Sequence, residues 1–128
     1  KYYNEIGLGI DFTARDLQSN CKSKGLPWEI AKAFDNSAPI GGFIDKSKLE
    51  QNNIAFELKI NGISKQIGNS KDLIFSFNNI IAYVSQFITL KVGDLIYTGT
   101  PEGVGPVKIG DVLEGYINND KHLHLNIK

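Results

Sequence analysis

Over residues 6–13, IGLGIDFT, apolar positions alternate with period two, so Ile6, Leu8, Ile10 and Phe12 share one side and predict a strand. Gly7 and Gly9 fall on the opposite face, where a missing Cβ lets another backbone come close. The polar run ARDLQSNCKSK follows, with Leu17 and Cys21 at i, i+4, and predicts a helix closed by Gly25 and Pro27. Thr13 is placed as its N-cap and Asp16 as a capping-box partner. Residues 54–60, IAFELKI, alternate most cleanly. Asn61-Gly62 and then ISKQIG complete a hairpin signature.

From Ser76 to Leu90 the period lengthens to that of a helix, with Ile80, Ile81, Val84, Phe87 and Ile88 on one stripe and Ser76 as cap. After Gly93 the segments DLIYTG, DVLEGYI and HLHLNI predict three more short strands. Strands then outnumber helices about three to one, which is the β-rich α+β class. No repeat or low-complexity tract divides the chain, so a single domain over residues 1–128 is expected.

Composition narrows the function. Fourteen basic and fourteen acidic residues cancel, which removes the electrostatic basis for binding nucleic acid or an anionic membrane. Apolar runs are far shorter than the roughly 18 residues needed to span a bilayer. No secretory leader is visible in KYYNEIGLGID, so a soluble, cytoplasmic protein is expected. A sequence without methionine is read as a fragment, or as the ordered portion of something longer. One cysteine and two histidines exclude an internal disulfide and a zinc-type cluster.

Candidate chemistry gathers in residues 10–35. They hold Arg15, the one arginine beside thirteen lysines, and Trp28, the one tryptophan. A lone arginine fits planar, bidentate recognition of a carboxylate, which lysine cannot reproduce. A structural ion pair between Asp11 and Arg15 is the alternative. Arg15 and Gln18 stand three apart and share a helix face. Lys32, among Trp28, Ile30, Ala31, Ala33 and Phe34, is either a functional ammonium in apolar surroundings or a snorkelling surface lysine. In YTGTPEGVGPVKIGD, residues 97–111, glycines leave backbone amides free to approach an anion, though nothing there is a phosphate loop. His122 and His124 share a strand face without a third metal ligand nearby, and a solvent-facing edge is expected. Cys21 is expected to be structural.

In order, DFTARDLQ, KGLPWEIAKAFD, SAPIG, LKINGISKQIGN, SKDLIF, IAYVSQFITL and GDLIYTGTPEGVGPVKIGD resemble the fumarylacetoacetate hydrolase family, specifically its small acylpyruvate hydrolase branch. The resemblance implies a mixed β-roll that forms a homodimer. It also implies a divalent cation, Mg2+ or Mn2+, held by three carboxylates, of which Asp11 matches the last. The other two, a Glu-x-Glu pair, precede this region in the family, as does a lid carrying a His/Glu base.

The activity implied is metal-dependent cleavage of a carbon–carbon bond in acylpyruvate-like diketo acids, including fumarylpyruvate and acetylpyruvate. Oxaloacetate decarboxylation or tautomerisation, or a hydroxymuconate-type isomerisation, would use the same site. A non-catalytic fragment lacking the Glu-x-Glu ligands is a third reading. By resemblance Arg15 orients the substrate carboxylate, and Gln18 and Lys32 are catalytic donors to oxygens that gain charge. Gly99 and Thr100 bind the keto-acid end.

Overall fold

The computed structural model describes residues 2–128. In chain order its regular elements are β1 (Glu5–Gly9), α1 (Arg15–Ser23), α2 (Glu29–Lys32), β2 (Ile40–Asp45), β3 (Ala55–Ile60), β4 (Ile63–Asn69), α3 (Phe77–Val84), β5 (Val112–Ile117) and β6 (Asp120–Asn126). Short 3-10 turns at Lys46–Lys48 and Ser70–Asp72 leave β2 and β4. β1 and β2 form a two-stranded sheet, and a second sheet runs β4-β3-β5-β6; every described pairing is antiparallel. The strand-rich α+β class expected from the pattern is the one observed.

The best-patterned strands formed as expected. β3 and β4 are joined at Asn61 and Gly62, whose φ values of 52° and 77° are those of a two-residue hairpin turn that few other residue pairs tolerate. Asn61 also clips β5: its Oδ1 accepts from Val112 N at 2.9 Å and its Nδ2 donates to Asp111 Oδ1 at 2.9 Å. Leu113, Ile117 and Leu123 are buried from β5 and β6. A Cβ on Gly115 would lie 2.5 Å from Leu8 of β1, so the small sheet packs directly on the large one.

Five local expectations need correction. β1 stops at Gly9, and residues 10–14 continue extended: Ile10, Phe12 and Ala14 donate their N–H groups to Pro39, Ser37 and Ala31 at 3.0, 2.8 and 3.0 Å. What approaches Gly7 and Gly9 is aromatic side chains, Phe43 and Tyr97, rather than backbone; the close backbone approach is at Gly41, where a Cβ would lie 2.0 Å from the His122 carbonyl oxygen. The N-cap of α1 is Ala14, with no side-chain cap, because the Thr13 hydroxyl is used elsewhere. Ser76 does cap α3, accepting from Asn79 N at 3.3 Å, but the helix ends at Val84, leaving Phe87 and Ile88 exposed in the turns beyond it.

The fifth correction is DLIYTG, which forms no strand. These residues instead run as a strap fastened by side-chain hydrogen bonds of Tyr97 and Gln66. β2, IGGFID, and the four-residue α2 were not expected. Two adjacent glycines break the alternation of β2, and its strand state comes from pairing with β1.

Candidate functional site

The extended run 10–14 fixes the first wall. Alternate backbone N–H groups bond to residues 31–39 and hold the run extended, so Asp11 and Thr13, two apart, share one face of it. Lys32, at the end of α2, meets both. Its Nζ lies 2.5 Å from Asp11 Oδ1 and donates to Thr13 Oγ1 at 2.8 Å. Asp11 thus pairs with Lys32 rather than with Arg15, and Lys32 is neither an apolar nor a free surface lysine. The pair stays partly open, with side-chain exposures of 33% for Lys32 and 44% for Asp11.

Arg15 opens α1 and Gln18 lies one turn on, on the same face as expected. Arg15 Nη1 donates to Gln18 Oε1 at 3.1 Å. Gln18 is buried at 8% exposure, so its amide oxygen is spent on aiming the guanidinium and only its nitrogen remains to donate. One turn further, Cys21 is buried against the body, as a structural cysteine would be.

These groups open onto a cleft of about 1500 Å³ whose lining also includes Thr98, Gly99 and Thr100 of the strap. The strap is fastened at both ends. Tyr97 OH donates to the carbonyls of Ala38 and Pro39 at 2.9 and 3.2 Å, beside the run that carries Asp11. Burial first, and then the Asp11 charge, push the Tyr97 phenol above its ordinary pKa. At the other end Gln66 of β4 donates from Nε2 to Thr100 Oγ1 at 3.1 Å and to the Pro101 carbonyl at 2.9 Å. Asp11, Arg15, Gln18, Lys32, Gly99 and Thr100 therefore all line one broad, open concavity, in which Asp11 contacts Lys32 and Arg15 contacts Gln18 directly. Tyr97 and Gln66 were not singled out from the sequence, since their partners lie 58 and 34 or more residues away and no local pattern marks them.

The donor set does not by itself suit a divalent metal. Hard cations such as magnesium take about six oxygen donors. Among the described residues no group of three His, Cys, Asp or Glu side chains could hold one, and Asp11 is already engaged by Lys32. His122 and His124 likewise gather no third ligand, and His124 is exposed on β6 at the sheet's edge, as expected. Among these residues no helix is long and apolar enough to cross a membrane.

A family profile described as fumarylacetoacetate (FAA) hydrolase C-terminal matches residues 6–124. The chain belongs to the fumarylacetoacetate hydrolase family. Among curated members it is 44% identical over 128 residues to the mitochondrial oxaloacetate tautomerase FAHD1 of Mus musculus, covering 99% of this chain and 58% of that protein. It is 47% identical to the oxaloacetate tautomerase YcgM of Escherichia coli, covering 84% of this chain and 50% of that one. The chain thus spans about half the length of the curated relatives it matches.

Among solved structures, the family protein from Yersinia pestis superposes with a TM-score of 0.92 at 41% identity, covering 98% of this chain and 59% of that one. The fumarylpyruvate hydrolase of Pseudomonas aeruginosa, solved with Mn2+ and pyruvate, gives 0.88 at 40%, covering 96% and 53%. These fumarylacetoacetate hydrolase family relatives carry the names of enzymes, both tautomerases and a hydrolase.

Proposed function

We propose that the full-length protein interconverts the keto and enol forms of oxaloacetate-like α-keto diacids. The observation that carries this reading is the Lys32 ammonium, held between the Asp11 carboxylate and the Thr13 hydroxyl on a cleft that also displays Arg15. Tautomerisation moves one proton from carbon to the carbonyl oxygen and needs no redox partner. Its difficult point is the enolate, whose oxygen gains charge. A fixed cation beside that oxygen, already oriented by two partners, lowers the barrier without reorganising. The Arg15 fork, aimed by Gln18, matches a substrate carboxylate in a way a lysine would not. The names of the mouse and E. coli relatives support this substrate class over the acylpyruvate cleavage expected from the sequence alone.

Carbon–carbon hydrolysis of an acylpyruvate is the second reading, favoured by the likeness to fumarylpyruvate hydrolase. It would use the same stabilised enolate as leaving group. That relative's Mn2+ also supports a divalent cation with Asp11 as one oxygen donor, the remaining donors coming from outside the described residues.

Ultraviolet decay of the oxaloacetate enol, followed with full-length protein, with and without chelator, tests the proposal. Acetylpyruvate and fumarylpyruvate are run alongside. Acceleration of enol decay well above the buffer rate is expected. No acceleration, with turnover of an acylpyruvate instead, would replace the first reading by the second.

A further inference from the structure

Gln66 stands on β4 at a point where the strand is irregular. Leu58 of β3 faces Gln66, but Lys59 faces Ser64, so Lys65 is an extra residue without a cross-strand partner. Such bulges re-aim the side chains beside them and turn a backbone group out of the ladder. Here both effects meet the strap. The Lys65 carbonyl lies where a Cβ on Gly103 would come within 2.1 Å, so the strap backbone rests on the bulge. Gln66, next along, reaches Thr100 and Pro101.

The hydrogen bonds have a direction that can be read. The Pro101 carbonyl can only accept, so the Gln66 atom 2.9 Å from it is the amide nitrogen, which fixes the side-chain orientation. The second proton of that nitrogen goes to Thr100 Oγ1 at 3.1 Å. Thr100 therefore accepts from Gln66, and its own O–H is left to donate to something else. Thr100 is exposed and lines the cleft.

We infer that Gln66 is a positioning residue that makes Thr100 a hydrogen-bond donor into the cleft, so that this end of the site selects the anionic oxygen of a carboxylate. The inference rests on the proposed role of Thr100 in binding the keto acid. A hydroxyl free to rotate would serve donors and acceptors alike; one that already accepts from Gln66 has its O–H turned away from Gln66 and one of its two lone pairs used, which biases it toward partners that accept.

The test uses full-length protein carrying Gln66→Ala, Gln66→Glu, Thr100→Val, or Gln66→Ala with Thr100→Val. Two readouts are taken: steady-state kinetics on oxaloacetate, and calorimetric titration with oxalate in manganese-containing buffer. Gln66→Ala should raise KM and weaken oxalate binding about tenfold, with kcat within about threefold. Gln66→Glu, nearly isosteric, should cost more, about a hundredfold, because a carboxylate there accepts the Thr100 O–H and repels the ligand.

Since Gln66 acts through Thr100, the double variant should be no weaker than Thr100→Val alone. Losses that multiply, or a Gln66→Ala protein that binds oxalate as wild type does, would overturn the inference, as would a wild type that binds no oxalate. So would a Gln66→Ala protein whose loss is matched by its loss of folded material in a thermal melt. If wild type fails to turn over oxaloacetate while oxalate binding still depends on Gln66, the tautomerase reading falls and this inference stands.

Discussion

Removing the Lys32 ammonium separates a catalytic group from a structural one, because the two roles predict losses of different size. Lys32→Ala deletes one ion pair to Asp11 and one hydrogen bond to Thr13. Both partners of the pair are about a third or more exposed, so solvent screens it and the pair contributes ~0.5 kcal/mol. The hydroxyl bond adds about as much again, so ~1 kcal/mol in all. In a full-length protein of about the relatives' size that lowers the melting temperature by about 2–4 °C and leaves roughly 99% or more folded at 25 °C.

The catalytic loss should be larger. Taking a fixed donor away from an oxygen that becomes charged costs on the order of a hundred- to a thousandfold in kcat, about 3–4 kcal/mol. The assay pairs enol-decay kinetics with a thermal melt on the same full-length preparation. A kcat within about threefold of wild type, or a melting drop beyond about 10 °C that accounts for the lost turnover, would refute a catalytic Lys32.

Other consequences follow from particular residues. Gly103→Ala places a Cβ 2.1 Å from the Lys65 carbonyl at a φ of 95°, so the strap must lift; a stability loss of about 2 kcal/mol and faster hydrogen exchange at residues 97–103 are expected. Leu113→Ala empties a side chain that is 1% exposed and should cost about 3 kcal/mol in a urea titration, whereas a loss under about 1 kcal/mol would mean that the sheets do not pack as described. Acid should destabilise the protein through three carboxyls. Asp45 is held below its ordinary pKa by the Ser47 N–H, Asp111 by the Lys108 N–H and the Asn61 amide, and Glu114 by Lys121. Since each folded-state value lies below the unfolded one, their stabilisation is complete above about pH 5 and disappears as pH falls through the folded-state values. Urea midpoints flat from pH 8 to 5 and falling below about pH 4 are expected, with Asp111→Asn flattening the fall; a midpoint that rises on acidification would reverse the assigned signs.

Much of the fold was legible because local preference and tertiary demand agreed. The alternation of Ile54, Phe56, Leu58 and Ile60, then Asn61-Gly62, names a hairpin whose turn angles few other pairs tolerate. Elsewhere the two disagreed. IGGFID, whose adjacent glycines break the alternation, became β2 by pairing with β1; DLIYTG reads as strand and instead runs as a strap held by Tyr97 and by the bonds of Gln66 to Thr100 and Pro101. Thr13 has the right chemistry for a cap, yet Lys32 took its hydroxyl.

The sequence by itself determined the residue types on which chemistry depends: one arginine aligned with a glutamine on a helix face, a carboxylate late in an expected strand, a lysine in an apolar run, and a Thr-Gly-Thr-Pro turn. Their resemblance to a family pointed to enolate chemistry. Only the tertiary structure decided who holds whom. Asp11 and Lys32 are 21 positions apart, and Gln66 and Thr100 are 34, so each pairing depends on backbone ladders and a bulge that no local window contains. Short-range patterns encode which surface a segment buries, whereas the direction of a hydrogen bond across a cleft is settled when the elements dock.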